Sequence, residues 1–286
     1  MPEIGPSQTG GGAVTLEAAP ALASPTADLD VQSRAIRARA HGHAVLGGLA
    51  FMVGILVLWQ LWIWVDSVPS LVMPAPLTVL GDIVDHPGVY LSPAWGTIWL
   101  AVVGLVIGMI AGSAAAVICW TSETLRVLIT PTALLIQSVP IVAFIPVLAR
   151  LLGYSNTTVI AIDALISLLP AFVLVGSGLR MVPPGTSEVF SAWGASRVSR
   201  LRLLAIPSAA PRFLTALRIA AAGSIGAAVA AEYLMGSQGL GLFIVNSANQ
   251  ANLVREWGGA VIAVALSMLS FVAAAQLEVW GNRRLS

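Results

Sequence analysis

Thr186–Pro211 reads TSEVFSAWGASRVSRLRLLAIPSAAP. The segment is basic, with Arg197, Arg200 and Arg202, and Gly194, Pro207 and Pro211 interrupt it too often for a bilayer crossing. Glycine best tolerates the left-handed conformation that ends a helix, so a helix opening near Ser187 is expected to stop at Gly194. Ser196 is suited to cap a second helix running to about Ala205. On the first helix Val189, Phe190 and Trp193 share a side at spacings of three and four, an apolar knob too small to be a core. On the second, Val198, Leu201 and Ala205 form one stripe and Arg197 and Arg200 another. Two readings fit these residues: an amphipathic hairpin lying on a leaflet with Arg toward anionic lipid, or an element received by a partner.

On both sides of this segment the chain is apolar. Hydrophobic residues make up 57% and charged residues 9% of the sequence, a balance that a soluble domain has no use for and a membrane protein requires. Apolar runs at 45–65, 96–120, 127–149, 157–179, 213–235 and 257–280 each approach the ~20 residues that cross ~30 Å of hydrocarbon. An all-α, polytopic membrane protein of six transmembrane helices is expected. Ahead of them, residues 1–40 are rich in Gly, Ala, Pro, Ser and Thr without apolar periodicity, which predicts a disordered tail. Residues 41–286 form the transmembrane domain, with the basic loop at about 184–211.

Arg residues set the orientation. Arg180, Arg197, Arg200, Arg202 and Arg212 fall in or beside the loop, Arg34, Arg37 and Arg39 precede the first span, and Arg283 and Arg284 end the chain. The segment 66–95 carries Asp66, Asp82 and Asp85 but no Arg, and only Arg150 and Arg255 fall on its side. Positive charge stays inside, so the loop and both termini are predicted cytoplasmic. Trp59, Trp62, Trp64, Trp95, Trp99 and Trp257 then mark the outer interface and Trp120 and Trp280 the inner one, whereas Trp193 stands apart in the loop.

Three spans carry packing signals. Gly104, Gly108 and Gly112, at intervals of four, make a small-residue face, and Gly223 and Gly226 thin the fifth span. Pro131, Pro140 and Pro146 break up the third span next to Gln137 and Ser138, and the carbonyls they free require protein or water rather than lipid. A short interfacial helix is expected between Val245 and Glu256.

The loop's spacing, with Glu188 six residues before Gly194-Ala195-Ser196 and with Ile206-Pro207 and Pro211 closing it, resembles the Glu-Ala-Ala loop in permease subunits of bacterial ABC importers. Pro140, Ala143, Pro146, Gly153, Pro170, Gly178-Leu179-Arg180 with Pro183, and Ala231-Glu232 with Gly239-Leu240-Gly241 resemble the nitrate/sulfonate/taurine group of such permeases, in the same order. The resemblance runs from about Gly96 to Arg284. It implies the type I importer permease fold, with Glu188, Val189, Phe190, Trp193, Gly194, Ala195 and Pro207 forming the part that couples to an ATPase. It implies a second permease copy as partner, an ABC ATPase dimer below carrying ATP and Mg, an extracytoplasmic solute-binding protein above, and a place in the bacterial inner membrane. The solute it implies is a small anion such as a sulfonate, taurine or nitrate. Two departures stand out: Val189-Phe190 replaces the two alanines after the Glu, and Leu100 stands where the family has an Arg.

Asp163 and Glu232 are predicted within spans, where an unpaired charge costs at least ~2.5 kcal/mol. Either lines the path or relays protons, as in a proton-coupled secondary transporter, or is a carboxyl hydrogen-bonded to a neighbouring helix. Gln137, Ser138, Pro140 and Ser167 complete the candidate path. Arg218 lies near enough to an inner span end to snorkel. His41 and His43 are too few for a metal site, Cys119 reads as a small core residue, and the glycines near 239 lack the Lys and Ser/Thr of a phosphate loop. No cofactor, metal, nucleic acid or catalytic group is expected in this chain, so any ATP hydrolysis belongs to another subunit.

Overall fold

The computed structural model describes residues 54–66, 69, 72–137, 139–182 and 185–285, with the backbone alone at 134, 136, 137, 141, 187 and 285. The predicted tail, Arg34, Arg37, Arg39, His41, His43, Ser138 and Pro183 lie outside the described residues. Two compact units divide between Leu58 and Trp59, and the second holds the helical bundle.

Every regular element described is helical. After α1 (Gly54–Val65) come α2 (Pro76–Asp85), α3 (Pro87–Thr121), α4 (Glu123–Gln137), α5 (Phe144–Leu152), α6 (Asn156–Gly178), α7 (Thr186–Ala192), α8 (Arg197–Arg200), α9 (Ile206–Met235), α10 (Leu240–Asn249) and α11 (Leu253–Leu285). Four stretches are each long and apolar enough to cross a bilayer: Pro87–Thr121, Asn156–Gly178, Arg197–Met235 and Leu253–Arg284. Their outward faces carry Val102, Ile110, Leu269 and Val272, all largely exposed, as lipid-facing residues must be.

The expected third span is not one helix. It divides into α4, a 3₁₀ turn over Ile141–Ala143, and α5. Pro140 causes the division, because it has no N–H to give and disfavours the α conformation at Val139. Its carbonyl instead accepts the Ala143 N–H at 2.9 Å. Pro146 falls in the first turn of α5, where a missing donor costs nothing.

The glycine face behaves as its spacing predicts. A Cβ at Gly104 would overlap Asp163 and the Ile160 carbonyl, one at Gly108 the Ala164 carbonyl, and one at Gly112 the Leu168 carbonyl. α3 and α6 therefore meet backbone to backbone, with α9 packed across them. At one end Leu100, Ile145, Val159, Ile162, Ile225 and Ala228 fill the core. Leu100 is only 5% exposed and serves as core. At the other end Ala116, Cys119, Phe172, Val175, Leu179 and Ala205 do the same.

The end holding α2 and α10 is tied by Asp82. Tyr90 Oη donates to its carboxylate at 2.5 Å, His86 Nδ1 lies 3.2 Å away, and Arg255 Nε 3.9 Å. Trp59 and Trp257 stack at 4.9 Å between centroids at this same end. The predicted interfacial helix is α10, which begins and ends earlier in the chain than expected. It stops at Ala251, whose φ of 54° breaks the helix, and the Asn252 side chain then accepts the Arg255 N–H at 3.2 Å to start α11.

Candidate functional site

At the opposite end, α7 and α8 form the two arms of the loop. Gly185, at φ 80°, admits the chain to α7. Gly194 ends that helix at φ 69°, and the Ala195 N–H reaches back to the Phe190 carbonyl at 2.9 Å while the Gly194 N–H bonds Ser191 O at 3.0 Å. These bonds satisfy the last carbonyls of α7, and a side chain at 194 would strain the left-handed turn. Ser196 Oγ accepts the Ser199 N–H at 3.2 Å and so caps α8.

The second arm does not stop at Ala205. A π-helical stretch, Leu201–Ala205, joins α8 directly to α9, and helical backbone continues to Met235. Pro207 sits in the first turn of α9, where it demands no donor, and Pro211 is absorbed within the helix. One continuous rod thus runs from the loop to the far end of the bundle. Arg200 Nη1 donates to Ser191 Oγ at 3.2 Å, tying the two arms together across the Gly194 turn.

Within the loop, the apolar knob is uncovered. Trp193 is 84% exposed and Val189 49%, while Phe190 is half-buried. Glu188 and Pro207 are exposed and Ala195 partly so. Of the stripe on the second arm, Leu201 and Ala205 pack into the core beside Leu179, but Val198 stays outside at 57%. Six of the coupling candidates, Glu188, Val189, Phe190, Trp193, Gly194 and Ala195, lie on α7 and the turn that ends it, whereas Pro207 stands apart from them in the first turn of α9, beyond α8 and the π-helical stretch.

The path candidates do not gather in the same way. Gln137 ends α4 and Pro140 is exposed at the break that follows. Asp163 and Ser167 are fully buried where α6 meets Gly104 and Gly108 of α3. Ser224 Oγ of α9 lies 2.9 Å from Asp163 Oδ2 and 3.0 Å from the Ala101 carbonyl, which joins three helices through one hydroxyl. Glu232 is fully buried at a second joint. Its Oε2 accepts Thr97 Oγ1 at 2.8 Å and the Gly241 N–H at 3.0 Å, and Thr97 Oγ1 in turn accepts the Leu240 N–H at 2.9 Å. The carboxylate sits against the first turn of α10, where free N–H groups and the helix dipole favour negative charge. Gly239 and Gly241 are required there, because a Cβ at either would overlap Glu232.

Arg218 has a partner that the sequence does not name: its Nη1 lies 2.8 Å from Glu278 Oε2 on α11, and Thr215 Oγ1 donates to the same carboxylate at 2.7 Å. Thr97, Ser224, Thr215 and Glu278 were not anticipated from sequence. Small hydroxyl residues in apolar helices carry no periodic signal, and their partners are 135, 61 and 63 residues away.

Comparison with known proteins places this geometry. The family described as "Binding-protein-dependent transport system inner membrane component" matches residues 104–285. The formylaminopyrimidine transport permease protein ThiX of Halalkalibacterium halodurans is 25% identical over 229 residues, covering 80% of this chain and 91% of that protein. The bicarbonate transport system permease protein CmpB of Synechococcus elongatus is 26% identical, with 83% and 90% covered. The putative aliphatic sulfonates transport permease protein SsuC of Bacillus subtilis is 22% identical, with 78% and 82% covered. Among solved structures, an inward-facing MetNI methionine ABC transporter superposes with a TM-score of 0.60 at 18% identity, over 71% of this chain and 98% of that one.

Proposed function

Because the chain belongs to the binding-protein-dependent transport system inner membrane component family, and is thus a multi-pass ABC importer permease subunit, we propose that α7 is the element that docks on its ATPase. The observation that carries this reading is the tip itself. Val189 on the seven-residue α7 and Trp193 at its C-terminal cap stand uncovered, and the helix is tied by Arg200 to a helical rod reaching through the bundle. A displaced apolar side chain at the tip moves the rod rather than bending the loop, which is the rigid-body coupling an ATP-driven importer needs. Val189-Phe190, bulkier than paired alanines, calls for a wider receiving groove on the ATPase.

In this reading two copies of the chain line the path, both termini and the α7 end are cytoplasmic, and a solute-binding protein delivers to the α2–α10 end. ATP and Mg reside on the ATPase. The distribution of Arg supports the orientation: Arg180, Arg197, Arg200 and Arg202 share the α7 end. Path contacts are assigned to the α4–α5 break, to Gln137 and Pro140 on either side of it and, from the sequence alone, to Ser138. Asp163, Ser167 and Glu232 are assigned to the helix joints, since each is fully buried and Asp163 and Glu232 hold hydrogen bonds across helices. The solute is proposed to be a small anion; the bicarbonate and sulfonate permeases among the relatives support this, and the formylaminopyrimidine permease marks the breadth of the class.

Co-purification tests the docking. The wild-type chain, expressed with a candidate ABC ATPase, is expected to bring that ATPase down and to show vanadate-sensitive hydrolysis in proteoliposomes. Trp193→Glu is expected to lose both while remaining inserted. Retention of the ATPase by Trp193→Glu would remove α7 from this role, and uptake driven by a proton gradient without ATP would remove the importer mechanism.

A further inference from the structure

A cleft opens between the ends of α3 and α6 and the second arm, and Trp193 is not in its lining. Trp120, Thr121, Glu123, Arg180, Arg197 and Arg200 are among the residues that line it. Its guanidiniums come from two elements, the end of α6 and the short α8. Glu123 is the one carboxylate in the lining and is already engaged by Arg126, one turn on, through two nitrogen–oxygen contacts. Among the described residues no carboxylate pairs with Arg180, Arg197 or Arg200. Arg197 reaches only the Thr121 carbonyl, at 3.5 Å, and Arg200 only the Ser191 hydroxyl, at 3.2 Å. Both acceptors are neutral and occupy one of the five donors each guanidinium carries. Arg200 Nε is buried without an acceptor.

Three uncompensated positive charges around one concavity repel one another, and an anion entering it relieves that repulsion while satisfying the unused donors. Guanidinium groups present planar forks that match phosphate oxygens in bidentate fashion. We propose that this cleft binds a phosphate group, carried either by an anionic phospholipid headgroup or by a soluble phosphate. Trp120, whose indole N–H is held by the Leu179 carbonyl at 3.1 Å, stands in the lining, and tryptophan is the residue type enriched where helices meet lipid headgroups. The site is separate from the proposed docking surface: Val189 and Trp193 are not part of its lining, and binding here requires no ATPase.

The test uses the full-length chain purified without ATPase into phosphatidylcholine nanodiscs. Melting temperature is followed against sodium phosphate, with sodium chloride at matched ionic strength as reference. In a second arm phosphatidylglycerol replaces phosphatidylcholine in steps and bound lipid is counted by native mass spectrometry. Stabilisation by phosphate alone identifies a soluble ligand, retention of phosphatidylglycerol alone a lipid, and both a shared phosphate site. The variant carrying R180Q, R197Q and R200Q is expected to bind at least about tenfold more weakly, the weight of one or more charge-assisted hydrogen bonds. Arg202→Gln, on the same exposed loop but outside the cleft, is expected to behave as wild type. If the triple variant does not fold, the three single substitutions carry the test, each expected to weaken binding severalfold. The proposal is overturned if chloride stabilises as well as phosphate and phosphatidylglycerol is not retained, if the arginine variants bind like wild type, or if Arg202→Gln is as damaging as they are.

Discussion

The α7 tip and the Glu232 joint are opposite solutions for placing unusual residues in a membrane protein. At the tip, apolar side chains point outward: Trp193 and Val189 are exposed although nothing in the chain's own packing requires them there. At the joint, a carboxylate is turned fully inward and accepts the Thr97 hydroxyl and the Gly241 N–H, while Thr97 in turn accepts the Leu240 N–H. The tip leaves apolar side chains uncovered, whereas the joint makes its hydrogen bonds within the chain, with Glu232 Oε1 alone left buried without one. Substitutions at the tip should therefore leave the fold intact and remove function, and substitutions at the joints should do the reverse.

The largest effect is expected where backbones touch. Gly108→Leu forces a side chain into the Ala164 carbonyl and Ser167, so α3 and α6 cannot close, and no folded protein should be recovered by size-exclusion chromatography. A monodisperse peak at the wild-type position would show that the two helices separate without cost. Next comes Trp193→Glu, expected to abolish stimulated ATP hydrolysis in the assembled transporter with melting temperature unchanged. A fall in both would mean that the tip is part of the folded core after all.

Smaller and graded effects belong to the polar joints. Glu232→Ala leaves the Gly241 N–H and Thr97 without their acceptor and should cost about 1–3 kcal/mol, read as a lowered midpoint of thermal unfolding. Glu232→Gln keeps one acceptor oxygen and should recover most of that loss. Equal losses in the two variants would assign the effect to charge rather than to hydrogen bonding. For the Arg218–Glu278 pair, Arg218→Met leaves Glu278 half-satisfied, and adding Glu278→Leu should restore stability by about 1 kcal/mol or more. Strictly additive losses would show that the two groups do not interact. Gly194→Ala should have the smallest effect, about 1 kcal/mol, because a Cβ there meets nothing and only the left-handed backbone resists it.

Legibility in the sequence depends on how far apart the interacting residues lie. Gly104, Gly108 and Gly112 advertise a close contact because helix geometry alone puts them on one face. Pro140 marks the end of α4 and Gly194 the end of α7, since each acts on its own backbone. The exposed knob is visible in Val189, Phe190 and Trp193 for the same local reason. The continuity of α8 with α9 is not visible, because Pro207 and Pro211 suggest a stop and only a helix start at Ile206, supported by the π-helical turn, accommodates them.

Hydropathy, charge distribution and residue spacing suffice to make this chain a helical membrane protein with a basic, amphipathic loop, because bilayer thickness and helix pitch act on neighbours along the chain. The choice of what each buried charge meets belongs to the folded bundle alone. Glu232 becomes a cap for α10 because Thr97 arrives from α3, and Arg218 is paired because α11 brings Glu278 to it. A carboxyl in a span must find some partner, since lipid offers none, but only the packing of distant helices decides which one.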